Sequence, residues 1–228
     1  DLVIVPFGKK KEIGVVWDKF QISSKNFKIK NIENKIQEFK IKSSLINYIN
    51  WFSSYNLVAK GLVLKMCLGN NLNIKKIEKF VDEKNKKYPD NFILNNEQKK
   101  SLNDLKKFGG KFNVSLLQGV TGSGKTIVYF ERIKDVLNKG NQVLLMLPEI
   151  FLTNQFKDRF ENFFGFSPPV WHSKISLKNK RKIWQGVLKN NIKLVIGARS
   201  SLLLPFKKLG LIVLDEEHDS SYKQDEGI

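Results

Sequence analysis

The sequence predicts an α/β protein: a parallel sheet covered by helices, preceded by a small β-rich unit and a helical connector. Three observations predict it. From about residue 93, short apolar runs alternate with amphipathic segments. Those runs are nearly continuous rather than alternating, as strands buried on both faces require. A glycine-rich turn at 119–126 follows one such run and opens one such helix.

Taken in order, residues 1–39 read as short strands. Leu2 to Pro6 is apolar and β-branched, Gly8 and the lysines after it mark a turn, and Ile13 to Trp17 resumes an extended run. Residues 18–26 are polar and turn-like, and Phe27, Ile29 and Ile32 alternate with Lys and Asn. Residues 40–92 form the connector. Leu45, Ile46, Ile49, Phe52, Leu57, Leu62 and Met66 recur at roughly helical spacing, with a break near Ser53 and Ser54. Gly69 ends that stretch, and a Lys-rich amphipathic segment at 72–90 runs to Pro89. Residues 93–228 carry strands at 114–118, 142–147, 192–196 and 211–214, an extended piece at 170–172, and helices at 125–139, 149–163 and 177–189.

Composition narrows the functional classes. The chain has 228 residues, 40 Lys+Arg against 22 Asp+Glu, and a formal net charge of +18. Such a surplus suits a polyanionic partner, because lysine neutralises phosphates and releases counterions. Compositional drift is the competing explanation, since Lys, Asn and Ile are all abundant and Arg132, Arg159, Arg181 and Arg199 are the only arginines. A single cysteine, Cys67, excludes a disulfide framework and a cysteine-cluster metal site within the chain. No apolar run approaches the ~18 residues of a membrane span, and a cytoplasmic chain is expected.

The turn Gly119-Val120-Thr121-Gly122-Ser123-Gly124-Lys125-Thr126 fits G-x-x-x-x-G-K-[ST]. Its glycines let the backbone wrap an anion, while loop N–H groups and the helix N-terminus face a phosphate. Lys125 is placed to reach the β- and γ-phosphates of ATP, and the Thr126 hydroxyl to ligate Mg²⁺. Ninety residues on, the apolar run 211–214 ends in Asp215-Glu216-Glu217-His218. A carboxylate at the C-terminal end of a parallel strand shares the sheet edge with such a loop. Asp215 is expected to hold Mg²⁺ and Glu216 to polarise the attacking water. His218 is a candidate for coupling the γ-phosphate to another segment, and Gln98 for reading adenine.

At these residues the sequence resembles the primosomal protein N′ (PriA) family, replication-restart helicases of superfamily 2. LLQGVTGSGKT at 116–126 resembles the family's first motif, and LPEIFLTNQ at 147–155 its next. WHSKIS at 171–176, GARSSLLLPF at 197–206 and DEEHDSSYKQDEG at 215–227 are similar to its His-Ser, Arg-Ser and DEEH segments. VPFGKKKEIG at 5–14 and WFSSYNLVAKGLVLKMCLG at 51–69 resemble its 3′-DNA-end-binding domain and connecting helix.

The resemblance implies a RecA-like P-loop motor lobe at 93–228 behind a partial DNA-binding β domain at 1–39. It implies an ATP-dependent helicase that binds forked and single-stranded DNA, unwinds 3′ to 5′ and initiates primosome assembly. Primosome proteins and single-strand-binding protein are the implied partners, and a monomer is expected. Gly122, Gly124, Lys125 and Thr126 carry over as nucleotide contacts, Asp215 and Glu216 as the catalytic carboxylates. Arg199, Ser200 and Thr153 carry over as residues of DNA-facing motifs. The family's second motor lobe, arginine finger and zinc-binding cysteines have no counterpart in the sequence, so no zinc ligand is assigned here. An N-terminal fragment is expected, truncated after the DEEH box, with a reduced winged-helix region. Absence of the arginine costs ~10³–10⁵ in rate, so hydrolysis by this chain alone is expected to be poor. Another superfamily 2 DNA or RNA translocase, or a catalytically incomplete DNA-binding fragment, are the alternatives.

Overall fold

The computed structural model describes residues 1–17, 30–36, 40–68, 92–108, 110–148 and 153–223. The chain divides into two units, Asp1–Lys65 and Met66–Ile228. In the first, β1 (Leu2–Phe7) lies between β2 (Lys10–Val15) and β3 (Asn34–Ile36), antiparallel to both. Gly8, at φ 60°, makes the turn between β1 and β2, a backbone that residues with a Cβ adopt only at a cost. The register sets Leu2 against Val15 on one side and Ile36 on the other, and Leu2, Val3 and Ile36 are buried. Residues 18–29, where alternation begins, fall outside the described residues; the third strand is seen at Asn34–Ile36.

The expected helical stretch is present as α1 (Ser43–Tyr55) and α2 (Lys60–Leu68). The break lies a little later than the sequence indicates, at 56–59, where Leu57 takes φ 55°. The Ser53 hydroxyl donates to the Val58 carbonyl and ties that turn down. The segment at 72–90 lies outside the described residues.

The second unit holds α3 (Asn96–Lys107), α4 (Lys125–Asn138), β4 (Gln142–Met146), α5 (Asn154–Phe164), β5 (Val170–Trp171), α6 (Leu177–Lys189), β6 (Leu194–Gly197) and β7 (Leu209–Leu214). The strands form one sheet in the order β5-β6-β4-β7, and every pairing is parallel. The predicted α/β class is therefore observed, with an antiparallel sheet ahead of a parallel one. β4 and β6 are buried along their whole length, as the apolar runs at 143–146 and 194–196 require.

Phenylalanines fill the space between α4, α5 and the sheet. Phe130 of α4 meets Phe160, Phe163 and Phe164 of α5 at ring-centroid distances of 5.5, 5.1 and 5.2 Å. The spacing 156, 160, 163, 164 is one face of a helix, so α5 turns its aromatic stripe onto that core. α5 starts at Asn154 because the Thr153 hydroxyl accepts the Phe156 N–H and caps it. It ends at Gly165 in the left-handed conformation. Residues 149–152, with which the sequence begins this helix, lie outside the described residues.

One predicted element is corrected. Residues 114–118 are not a strand: the chain at 112–120 has no regular structure, and Val114 and Leu116 are 81% and 76% exposed. An apolar run becomes a strand only when a neighbour supplies ladder hydrogen bonds. Among the described residues the sheet contains no strand paired with this segment.

Candidate nucleotide-binding site

The sheet register gathers the motif segments at one edge. Met146 pairs with Gly197 on one side and Leu214 on the other, so β4, β6 and β7 end in one row. Backbone bonds continue past the strands: Leu147 N–H donates to the Gly197 carbonyl (3.2 Å) and Asp215 N–H to the Met146 carbonyl (3.1 Å). The segments beginning at Leu147, Ala198 and Asp215 are thereby laced together. Gly197 has no room for a Cβ, which would strike Ser201 and crowd the Trp171 carbonyl.

The glycine-rich turn precedes α4. Gly122 and Gly124 take φ 82° and 81°, and Gly124 is the α4 N-cap with no side chain to cap it. The first N–H groups of α4 are therefore left to an anion rather than to a side-chain cap. The Lys125 ammonium folds back onto the loop, donating to the carbonyls of Gly119 (2.6 Å) and Val120 (3.3 Å). Gln98 braces the loop from α3. Its Nε2 donates to the Ser123 carbonyl (3.0 Å), while its backbone and side chain complete a reciprocal cap with Asn95. A Cβ on Gly124 would collide with the Gln98 amide.

Asp215 stands one residue past β7, and its carboxylate is held at both oxygens. Oδ1 accepts the Glu216 N–H (3.1 Å) and Oδ2 accepts the Tyr129 hydroxyl (2.7 Å). One phenol on the helix that follows the loop thus holds the carboxylate of the acidic tip. Burial first, and the Asp215 charge second, push the Tyr129 hydroxyl well above its ordinary range, so it remains a donor. The Tyr222 hydroxyl donates to the Asp215 backbone carbonyl (2.9 Å) and is raised by burial and the Asp215 charge. Glu216 takes φ 50°, a left-handed conformation that costs a non-glycine residue ~1–2 kcal/mol and marks strain at this turn.

The remaining predicted residues have local partners. The imidazole of His218 lies 3.6 Å from a Glu216 carboxylate oxygen and 3.8 Å from one of Glu217, both on its own turn. Arg199 donates to the Lys223 carbonyl (2.6 Å), which binds the Arg-Ser segment to the stretch after the acidic tip. Ser200 accepts the indole N–H of Trp171 (3.2 Å). Thr153 acts as the α5 cap described above. Sequence reasoning passed over Tyr129, and took in Trp171 and Tyr222 only as members of the WHSKIS and DEEHDSSYKQDEG segments, with no role of their own. Tyr129 carries a faint signal, since a residue four after Lys125 on a helix returns to the same face.

The donor set suits a magnesium nucleotide: loop N–H groups, an ammonium, a hydroxyl and a carboxylate, the last held by a phenol of α4. No group of three or more His, Cys, Asp or Glu side chains poised for a metal ion occurs among the described residues. None of their helices is long and apolar enough to cross a membrane.

A parallel sheet with this loop and acidic tip defines a RecA-like P-loop lobe, and comparison with known families agrees. The chain belongs to the DEAD/DEAH box helicase family, whose model matches residues 95–228. Residues 1–69 match a 3′DNA-binding domain (3′BD). Over its whole length the chain is 45% identical to the replication restart protein PriA of Rickettsia conorii, of which it spans 35%. It is 35% identical over 227 residues to that of Helicobacter pylori strain 26695, covering 97% of this chain and 34% of the relative. With that of Bacillus subtilis it shares 42% identity over 135 residues, 58% of this chain and 17% of the relative. The family resemblance read from the motifs is borne out, and the chain spans about a third of the length of its full-coverage relatives.

Proposed function

We propose that this chain supplies the ATP-binding motor lobe and DNA-end-binding domain of a 3′-to-5′ DNA helicase. Its substrates are forked and single-stranded DNA, and its role is to initiate primosome assembly at stalled replication forks in the cytoplasm. Primosome proteins and single-strand-binding protein are its proposed partners. The division into a β domain at 1–39, a connector at 40–92 and a motor lobe at 93–228 belongs to the same proposal. The observation that carries it is the meeting of the phosphate loop and the acidic tip: Asp215 is hydrogen-bonded to a tyrosine one turn beyond Lys125.

In this reading Lys125 exchanges the carbonyls of Gly119 and Val120 for phosphate oxygens, and the loop N–H groups orient the anion. Thr126 and Asp215 hold Mg²⁺, which when bound offsets charge on the β- and γ-phosphates. Glu216, next along the turn, takes a proton from the attacking water. Arg199, Ser200 and Thr153 lie on segments leaving the same sheet edge, where a bound DNA strand would bear on the nucleotide.

The test is nucleotide binding by the chain itself, read with a fluorescent ATP analogue in the presence of Mg²⁺. Lys125→Ala removes a charge-assisted contact and should weaken binding about 10–100-fold. Binding of forked DNA in a gel shift should be unchanged by that substitution. Analogue binding that ignores Lys125→Ala would defeat the nucleotide reading. A preference for RNA over forked DNA would favour a different translocase.

A further inference from the structure

Tyr129 belongs to none of the motifs that the sequence singles out, yet its hydroxyl is bonded to one of the two groups proposed to hold the metal ion. It sits on α4 three residues after Thr126 and four after Lys125, so all three share one face. Its ring is 6% exposed and packs edge-on against Phe130 at 5.2 Å, which limits the directions the hydroxyl can take. Phenylalanine would fill the same space without burying a polar group, and burying one is unfavourable unless it is bonded. Here the hydroxyl is bonded: it donates to Asp215 Oδ2 at 2.7 Å. Among the described residues the other Asp215 hydrogen bonds are its own N–H to the Met146 carbonyl, its neighbour's N–H on Oδ1 and Tyr222 on the backbone carbonyl, so Tyr129 is the long-range restraint on the carboxylate.

Resting on the nucleotide-site reading above, we propose that Tyr129 is a positioning residue, fixing the Asp215 carboxylate toward a single Mg²⁺ position. Each carboxylate oxygen has two acceptor sites. The phenol takes one on Oδ2 and the Glu216 N–H one on Oδ1, which leaves two to a hydrated cation. Outer partners of this kind orient metal-binding groups elsewhere, and losing them commonly costs roughly 10–100-fold in metal affinity.

The experiment measures binding of a fluorescent ATP analogue to the chain with Mg²⁺ and with EDTA. Wild type, Tyr129→Phe, Asp215→Asn and the double variant are compared. In EDTA, Tyr129→Phe should bind within about twofold of wild type. The gain in affinity on adding Mg²⁺ should fall roughly tenfold. In the Asp215→Asn background the same change should add nothing, because the group it positions is gone. Any loss of melting temperature is met by assaying all four proteins below the lowest transition, where the cycle still separates metal positioning from packing. An unchanged Mg²⁺ gain in Tyr129→Phe, or an equal loss with and without the Asp215 carboxylate, would reduce Tyr129 to core packing and overturn the proposal. Lys125→Ala run alongside separates the two readings. If it alters binding while Tyr129→Phe leaves the Mg²⁺ gain intact, positioning alone fails; if it alters nothing, the nucleotide site fails and the proposal falls with it.

Discussion

β4 and β7 are neighbours in one sheet with similar apolar sequences, QVLLM and LGLIVL, yet their surroundings differ sharply. β4 has β6 on one side, β7 on the other, and α4 packed against it, and Leu145 is 0% exposed. β7 pairs with β4 alone among the described strands, and Ile212 is 46% exposed. Burial of a strand is conferred by its neighbours, and side-chain hydrophobicity states only what the strand can tolerate. The proposed metal-binding carboxylate hangs from the less covered strand. The precision of its placement therefore comes from the hydrogen bonds around Asp215 more than from packing beneath it.

The deepest way to break this contrast is through the β4 side. Phe130 is completely buried and touches aromatic rings at 156, 160, 163 and 164. Phe130→Ala should destabilise the second unit by about 3–5 kcal/mol, combining lost transfer energy with a cavity the surrounding rings cannot close. Urea unfolding followed by circular dichroism measures it. A loss below about 1 kcal/mol would mean that the ring cluster rearranges freely and does not hold α4 and α5 to the sheet.

The next test falls on the stitch between the two strands. Gln142 opens β4 and is fully buried. Its Nε2 donates to the carbonyls of Val187 and Ile192 (2.9 and 2.8 Å), and its Oε1 accepts the N–H groups of Lys207 and Lys208 (2.7 and 2.8 Å). One amide thus joins the connection entering β6 to the one entering β7. Gln142→Leu keeps the volume but removes four hydrogen bonds of a buried amide to the backbone, and should cost about 2–3 kcal/mol in the same urea titration. It should also raise hydrogen exchange at 207–209 ahead of the sheet as a whole. Uniform exchange would show that β7 is held by its ladder alone.

Much of this was legible in the sequence, for reasons that the strands make plain. The buried runs at β4 and β6, the helical stripe of α5 and the glycine-rich turn depend on periodicity and backbone need, which are local properties. The segment at 114–118 was misread because its apolar sequence matches a strand, while pairing is decided by a partner elsewhere. In the site, the spacing of Lys125 and Thr126 is local and Asp215 follows from its place after a strand. Tyr129 was hidden because its role rests on a hydrogen bond across 86 positions of sequence. Gln98 was read as an adenine contact from its chemistry; its bonds to Asn95 and Ser123 depend on α3 meeting the loop, which no single window reveals.

The smallest expected effect is the sharpest test of the contrast itself. Leu145→Ala in β4 removes a side chain with no solvent contact and belongs to the class costing about 2–5 kcal/mol. Ile212→Ala in β7 removes one that already meets water over nearly half its surface, so the transfer term is roughly halved and no closed cavity remains. A cost of about 1 kcal/mol or less is expected. It should not vary with protein concentration, because no described residue of the chain covers that side chain further. A loss near that of Leu145→Ala, growing on concentration, would mean that β7 is covered in solution by a second copy of the chain. The difference between the two strands would then be a property of the isolated chain and not of its assembled form.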